Sequence, residues 1–443
     1  MVTWYFPPVN TIGAVRLGKF ARFLQEAGHD IGVVAGKDWG YSETLPLEAP
    51  VERIAYVPAF DVNAVPSAVA GALKRLVRRG APARSPALEP APTQAGAGPG
   101  DGAASPHPLS RFYAELTNIP DNRVGWLNSA TRAGIELCPD WRPELIFASG
   151  PPFTTFLIAR RLSRRLGVPW VAELRDRWAD DPYDTSPRWR RAINDWLERR
   201  VLASARALVT VTEPWAEFYR AKYAKLVATI YNGYDPADLV DLNGGAPSLV
   251  LAPDRLVIGY TGSIYPGRRD PTPLFEALRL LGEIGDRFLV VFCGTDPAHV
   301  LPLAERAGVL HLVEIRPAVP YRESLAFQQQ SDVLLLMQWN DPREQGNCPG
   351  KFFEYIASLR PLLILGLDNG VPATIARSRG AGDCINDPPR IAAKLKEWLA
   401  EKDKFGRVPG LPEAAREGLS RDIQFAKLER FLVEIPVRSA RPS

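Results

Sequence analysis

LVIGYTGSIYPGRRDPTPLFEALRLLGEIGDRFLVVFCG, residues 256–294, reads as a strand, a glycine-bearing loop, a helix and a second strand. A strand that returns as a strand only after a helix predicts parallel pairing, because parallel neighbours need a long crossover. The grammar continues towards the C-terminus. HVLPLAERAG (299–308), RESLAFQQQ (322–330), KFFEYIASL (351–359) and IAAKLKEWLAE (391–401) read as helices, alternating with LVEIRPAV (312–319), DVLLLMQ (332–338) and PLLILG (361–366) as strands. Residues 249–410 are therefore expected to form one doubly wound unit.

The same pattern runs towards the N-terminus. A short apolar start, Pro7-Pro8 and Gly13 precede a helical pattern through Val15, Phe20, Phe23 and Leu24, which ends in AGHD before the run Ile31–Val34. ELIFASG (144–150), TTFLIARRLSRRLG (154–167) and PWVAEL (169–174) read as strand, helix and strand, followed by the loop RDRWADDPY (175–183). A basic helix from about Arg188 to Ser204, the strand ALVTVT (207–212) and TIYNGYD (229–235) complete a first domain over 1–240. The amphipathic stretch Phe425–Ile435 within 411–443 is expected to return to that domain.

Composition sets the limits. A chain of 443 residues exceeds what one core usually supports, and 46% hydrophobic with 23% charged residues excludes disorder throughout. The 54 basic and 50 acidic groups are too balanced for a dedicated nucleic-acid binder. Cys138, Cys293, Cys348 and Cys384 lie far apart without a C-x-x-C pair, which speaks for a reducing cytoplasm and against a zinc site or a disulfide framework. No stretch has the length and apolarity of a membrane span, and the start lacks the features of a signal peptide. Residues 80–108 are rich in Pro, Ala, Gly and Ser and are expected to be a disordered insert. Before them, Val65, Val69, Ala72, Leu73 and Leu76 share a helical face flanked by Lys74, Arg75, Arg78 and Arg79. Residues 65–80 thus offer either an ordinary solvated face or peripheral contact with an anionic membrane.

The chemistry concentrates in two glycine elements. Pro349, Gly350 and Lys351 begin a predicted helix, where unpaired N–H groups and the dipole favour an anion such as phosphate, and Glu354 lies one turn further, within reach of sugar or ribose hydroxyls. TGSIYPGRRDP (261–271) carries Gly262, Ser263, Arg268 and Arg269 in a loop that also leaves a strand's carboxyl end, so both loops can converge on one diphosphate.

These residues resemble retaining glycosyltransferases of the GT-B fold, glycosyltransferase family 4 of the group 1 type. PPVNTIGAVRLGKFARFLQEAGHDIGVVAG, IYNGYD, GYTGSIYPGRRDPTPLFEAL and CPGKFFEYIASLRPLLILG match family segments in order, over nearly the whole chain. The resemblance implies two facing Rossmann-like domains with a central cleft and a nucleotide-sugar donor held by Gly13, Gly262, Ser263, Arg268 or Arg269, Asn347, Gly350, Lys351 and Glu354. It also implies close backbone approach at Gly13 and a metal-free reaction driven by charge on the leaving diphosphate, in which Arg268, Lys351, Arg175 and Asp176 act as catalytic groups. The acceptor would be a glycan, a lipid-linked or a small molecule, with no cofactor and no nucleic acid, in bacterial surface polysaccharide or glycoconjugate synthesis. The work would lie in the cytoplasm or peripherally on the inner face of the cell membrane. Two positions depart from the family pattern. Gly346 stands where many members carry a glutamate, with Glu344 and Asn347 nearby, and Ser263 stands where the usual residue is an arginine. Asp176 is read as touching sugar hydroxyls and His29 as structural. The competing readings are a catalytically silent GT-B partner that binds a glycan or a second transferase, and a GT-B sugar-nucleotide epimerase.

Overall fold

The structure, a computed structural model, describes residues 1–37, 40–47, 51–64, 108–240 and 254–435. The basic stretch 65–80 and the expected disordered insert fall outside the described residues, except that Pro108 opens the helix Pro108–Thr117. The chain divides into two compact units. One comprises Met1–Thr210, Ala216–Thr229 and Glu429–Ser443, and the other Val211–Trp215 and Ile230–Leu428.

The first unit holds a seven-stranded sheet: β1 (Val2–Thr3), β2 (Gly32–Lys37), β3 (Arg53–Pro58), β4 (Ile146–Gly150), β5 (Trp170–Leu174), β6 (Ala207–Thr210) and β7 (Val227–Thr229), in the order β3-β2-β1-β4-β5-β6-β7. The second holds six: β8 (Leu256–Thr261), β9 (Phe288–Cys293), β10 (Val313–Arg316), β11 (Val333–Met337), β12 (Leu362–Leu365) and β13 (Gly382–Cys384), in the order β10-β9-β8-β11-β12-β13. Every pairing in both sheets is parallel, as strand–helix alternation requires. The strand order reverses between β1 and β4 in one sheet and between β8 and β11 in the other. Loops there diverge to opposite faces and leave a crevice at the carboxyl ends.

The apolar runs are continuous because both sheet faces are covered. Along β11, Val333, Leu335 and Met337 enter one core cluster with Phe275 and Phe292, while Leu334 and Leu336 enter another with Phe352, Phe353 and Ile364. In the first unit, Val2, Ala148, Phe156, Trp170 and Leu208 share one core.

Local readings shift in two places. The first strand is only Val2–Thr3, and Trp4 leaves it to pack edge-on against Trp126 at 5.1 Å. In the helix Ile12–Glu26 the buried face is Ala14, Leu17, Phe20 and Ala21 together with Arg16, and Val15, Phe23 and Leu24 are only partly buried. A charged side chain on the core face displaces the apparent apolar stripe. The final helix is Arg421–Glu434, grouped with the first unit from Glu429 onward, and Glu429 Oε1 meets His29 Nε2 at 2.8 Å there. Among the described residues, no helix is long and apolar enough to cross a membrane.

Candidate functional site

In the second unit, the crevice at the β8–β11 reversal is built by the loop after β8 and the helix Gly350–Ala357, which follows β11. Pro349 is extended at φ −67° and ψ 145° and no side chain caps this helix, so its first turn presents backbone N–H groups. A side chain at Gly350 would meet nothing within 4 Å; open space stands over the helix start. Lys351 reaches back to β8. Its Nζ donates to the Thr261 carbonyl (2.5 Å) and to the Tyr260 hydroxyl (3.3 Å), and sits 4.3 Å from the Tyr260 ring centre. Gly262, at φ +98°, turns the chain under this ammonium, where an added Cβ would stand 3.0 Å from Nζ.

The Lys351 side chain keeps some surface open, but its ammonium points inward. Burial, and then the nearby Arg269 guanidinium, lower its pKa to about 7, with Glu354 pulling the other way. A cation held with a neighbouring cation in a crevice lined by helix N–H groups is short of negative charge. An oxyanion would supply it. Arg269 Nη1 donates to the Ser263 carbonyl (2.9 Å) and its guanidinium lies over the Tyr265 ring at 4.4 Å. Arg268 instead lies 5.4 Å from the Trp339 ring centre. Of the two arginines, Arg269 is the one whose charge acts on Lys351.

Glu354 lies on the same helix, where the Tyr321 hydroxyl donates to its Oε1 at 3.3 Å and to Asp238 Oδ2 at 3.1 Å. Burial raises the Glu354 carboxyl, opposed first by the Arg421 guanidinium. Arg421 is itself buried, with Nε and Nη1 lacking a hydrogen-bond partner. Asn347 turns away into the loop: its Nδ2 donates to Glu344 Oε1 (2.9 Å) and its carbonyl accepts from Gln338 Nε2 (3.1 Å). Gly346 sits at φ +97°, a Cβ there would meet Trp215 Cδ1 at 2.3 Å, and its carbonyl accepts from the Thr212 hydroxyl (2.6 Å). Position 346 therefore excludes any side chain, and the departure from the family pattern is built into the packing. The carboxylate nearest in sequence, Glu344, is buried and held by Asn347.

In the first unit, the β1–β4 reversal gathers Gly13, Arg175 and Asp176. Gly13 lies in the first turn of Ile12–Glu26, and a Cβ there would meet Arg175 Nη1 at 2.5 Å, so glycine leaves room for the guanidinium. Arg175 Nη2 donates to the Pro151 carbonyl (2.8 Å) beyond β4. Crowding of the loop raises the Asp176 carboxyl, against the pull of Arg175 and with a smaller push from Asp181. Beneath them, Arg16 Nη2 donates to Glu173 Oε1 (2.8 Å) and the Ser149 hydroxyl to Glu173 Oε2 (2.6 Å), all three buried. Beside this floor opens a cavity of about 410 Å³ lined by Tyr5, Tyr41, Arg123, Trp178, Asp181 and Arg190. Trp178 stacks on Phe153 with ring centres 5.1 Å apart, and Asn194 Oδ1 is buried there without a partner.

Sequence reading missed Arg16, Glu173, Tyr260, Tyr321 and Arg421. The signal for Arg16 was a basic residue three positions after Gly13 and four before Phe20, on the face a core helix buries. Arg421 carries no local signal, because its partner Glu354 lies far away in sequence.

Residues 13–233 match the family model of a glycosyl transferase 4-like domain. No curated protein sequence matches the chain. Among solved structures it is similar to a sucrose-phosphate synthase from Thermosynechococcus elongatus, with TM-score 0.61, 14% identity and 98% of each chain covered. It is similar to Anabaena HepE in complex with UDP-glucose, with TM-score 0.56, 12% identity, and 98% and 99% covered. It is also similar to WaaG, a glycosyltransferase involved in lipopolysaccharide biosynthesis, with TM-score 0.53, 13% identity, and 98% and 100% covered. At such identities the likeness establishes the fold.

Proposed function

Residues 13–233 belong to the glycosyl transferase 4-like family and the chain has the GT-B fold, and from that premise we propose that this protein moves a sugar from a nucleoside-diphosphate donor to a glycan, lipid-linked or small-molecule acceptor. The observation that carries this reading is Lys351: an inward-facing ammonium with a pKa near 7, at an uncapped helix start, over a glycine with positive φ. The donor diphosphate lies against Gly350, Lys351 and the Gly262–Ser263 loop, with Arg269 adding charge. Glu354, oriented by Tyr321 and balanced by Arg421, accepts hydrogen bonds from the ribose hydroxyls.

Bond breaking leaves negative charge on the diphosphate, and fixed positive groups stabilise that charge more than they stabilise the bound donor. The acceptor occupies the first unit's cavity, where the exposed Tyr41 ring offers a face to a sugar and Asp181 offers an acceptor to its hydroxyls, with Asp176 on the same loop as Asp181. Without a protein nucleophile, the acceptor attacks on the face the diphosphate leaves, and the anomeric configuration is retained. Basic residues and helix N–H groups do the neutralising that a metal does elsewhere. This work would be done in the cytoplasm or at the inner face of a membrane, in making surface polysaccharide or another glycoconjugate. The absence of a side chain at Gly346 favours a second reading, a silent partner that binds a glycan; slow hydrolysis of an activated donor separates the two.

Asp176→Ala is expected to lower turnover more than donor affinity, since Asp176 belongs to the acceptor side. The reaction itself is tested by following the anomeric proton coupling of the first product by NMR with a chelator present. Retention in chelator supports the mechanism. An inverted product, or activity restored only by magnesium or manganese, refutes it.

A further inference from the structure

The helix Arg188–Leu202 in the first unit wears its polarity inside out. At about 100° per residue, Trp189, Ile193 and Trp196 fall on one stripe that Arg200 continues, and Asn194, Glu198, Val201 and Leu202 fall on the opposite one. The face with Asn194 and Glu198 is buried, whereas Trp189, Ile193 and Trp196 are 36%, 40% and 58% exposed. On that buried face Glu198 accepts from Lys222 Nζ (2.8 Å), the Tyr223 hydroxyl (2.5 Å) and the Ala179 amide (2.6 Å), and Asn194 borders the cavity of the first unit. The tryptophan stripe has no such account inside the unit. A helix that spends apolar residues on its solvent side presents them to something else.

The charge around the stripe says to what. The neighbouring helix Thr154–Leu166 carries four arginines and no carboxylate, and Arg188–Leu202 carries five arginines against Asp195 and Glu198. Both carboxylates are already engaged, by Arg199 and Lys222. Arg160 lies between the helices with its Nε buried and unpartnered, and Arg164 and Arg200 are close enough to add their repulsion to its burial. Arg200 also lies 5.5 Å from the Trp196 ring centre, which brings the cationic cluster onto the aromatic stripe.

We propose that this face docks the protein on an anionic lipid bilayer, Trp189, Ile193 and Trp196 entering the boundary between headgroups and acyl chains while Arg164 and Arg200 meet lipid phosphates. The chemistry is that of an interfacial helix: tryptophan has an apolar body and a polar edge suited to headgroup depth, and arginine keeps its charge at the surface while its stem lies in apolar surroundings. A convex helix face with its large side chains on the crest suits a flat, deformable surface. The docking is independent of the transfer reaction and of residues 65–80.

The full chain is tested by flotation with vesicles of phosphatidylcholine mixed with phosphatidylglycerol, and of phosphatidylcholine alone. Binding is expected on the mixed vesicles only, weakening as salt is raised. Trp189→Ser with Trp196→Ser should lower the partition coefficient by at least about tenfold, from the apolar area withdrawn from the interface. Arg164→Gln with Arg200→Gln should lower it by about thirtyfold, from two charges near the surface. All four side chains are partly or fully exposed, so an unchanged melting temperature certifies each variant as folded. Equal binding to both vesicle types, wild-type binding by the variants, or self-association or RNA binding through this face in place of vesicle binding would overturn the proposal.

Discussion

Lys351→Ala is expected to slow sugar transfer by about two orders of magnitude, read as kcat/KM for donor, with the fold intact. The ammonium is anchored between Tyr260 and the Thr261 carbonyl, on the helix whose first turn faces open space at Gly350. Removing a charge-assisted phosphate contact typically costs a few kcal/mol, and each 1.4 kcal/mol is tenfold in rate. The structural loss is smaller, about one hydrogen bond at a partly open site. Lys351→Arg should not restore the rate, because a planar fork does not fit the Tyr260 ring and the single carbonyl as a compact ammonium does. Unchanged turnover in the alanine variant would remove Lys351 from the donor site.

The second large effect is on stability. Arg16→Ala strands the Glu173 carboxylate, which is 1% exposed, and removal of one partner of a buried pair typically costs about 3–5 kcal/mol. For a unit of this size that is about 10 °C in melting temperature. Burial alone would raise the Glu173 carboxyl; the Arg16 guanidinium and the Ser149 hydroxyl outweigh it and hold the pKa below the ordinary glutamate value. A depressed folded pKa means that the folded state binds fewer protons than the unfolded chain. The stabilisation is therefore complete above the ordinary carboxylate range and is lost as pH falls through the folded value. Wild type should lose it only in acid, and Arg16→Ala should lack it at neutral pH as well. The double change Arg16→Met with Glu173→Leu should recover part of the loss, since neither charge of the pair is then left buried, while the Ser149 hydroxyl loses its acceptor and Arg175 a countercharge. If Arg16→Ala melts with wild type, the pair does not hold the floor of the first crevice.

The two parallel sheets were legible because strands covered on both faces read as unbroken apolar runs. Val333–Met337 supplies both cores of its unit by alternation, and no slip of one residue makes it polar. The donor-side crevice was legible for a related reason: the glycine, proline and lysine that open a helix are adjacent in the chain. What was not legible depends on distant pairing. Arg16 disturbed the apparent stripe of its helix because its partner Glu173 lies 157 residues away, and Tyr321 and Arg421 reach Glu354 from other elements. Gly346 read as a missing glutamate, whereas its positive φ and the Trp215 ring show a position that admits no side chain.

The claim that a diphosphate completes the Lys351 site is tested most directly by isothermal titration of the tightest-binding nucleoside diphosphate, beginning with UDP, in two buffers of different ionisation enthalpy. With a free pKa of about 7, Lys351 is largely neutral at pH 8 and largely charged at pH 6. A bound diphosphate favours the charged form. The account predicts uptake of close to one proton per nucleotide at pH 8, much less at pH 6, and neither the uptake nor its pH dependence in Lys351→Ala. Buffer-independent heats at pH 8, or the same uptake in the variant, would contradict it.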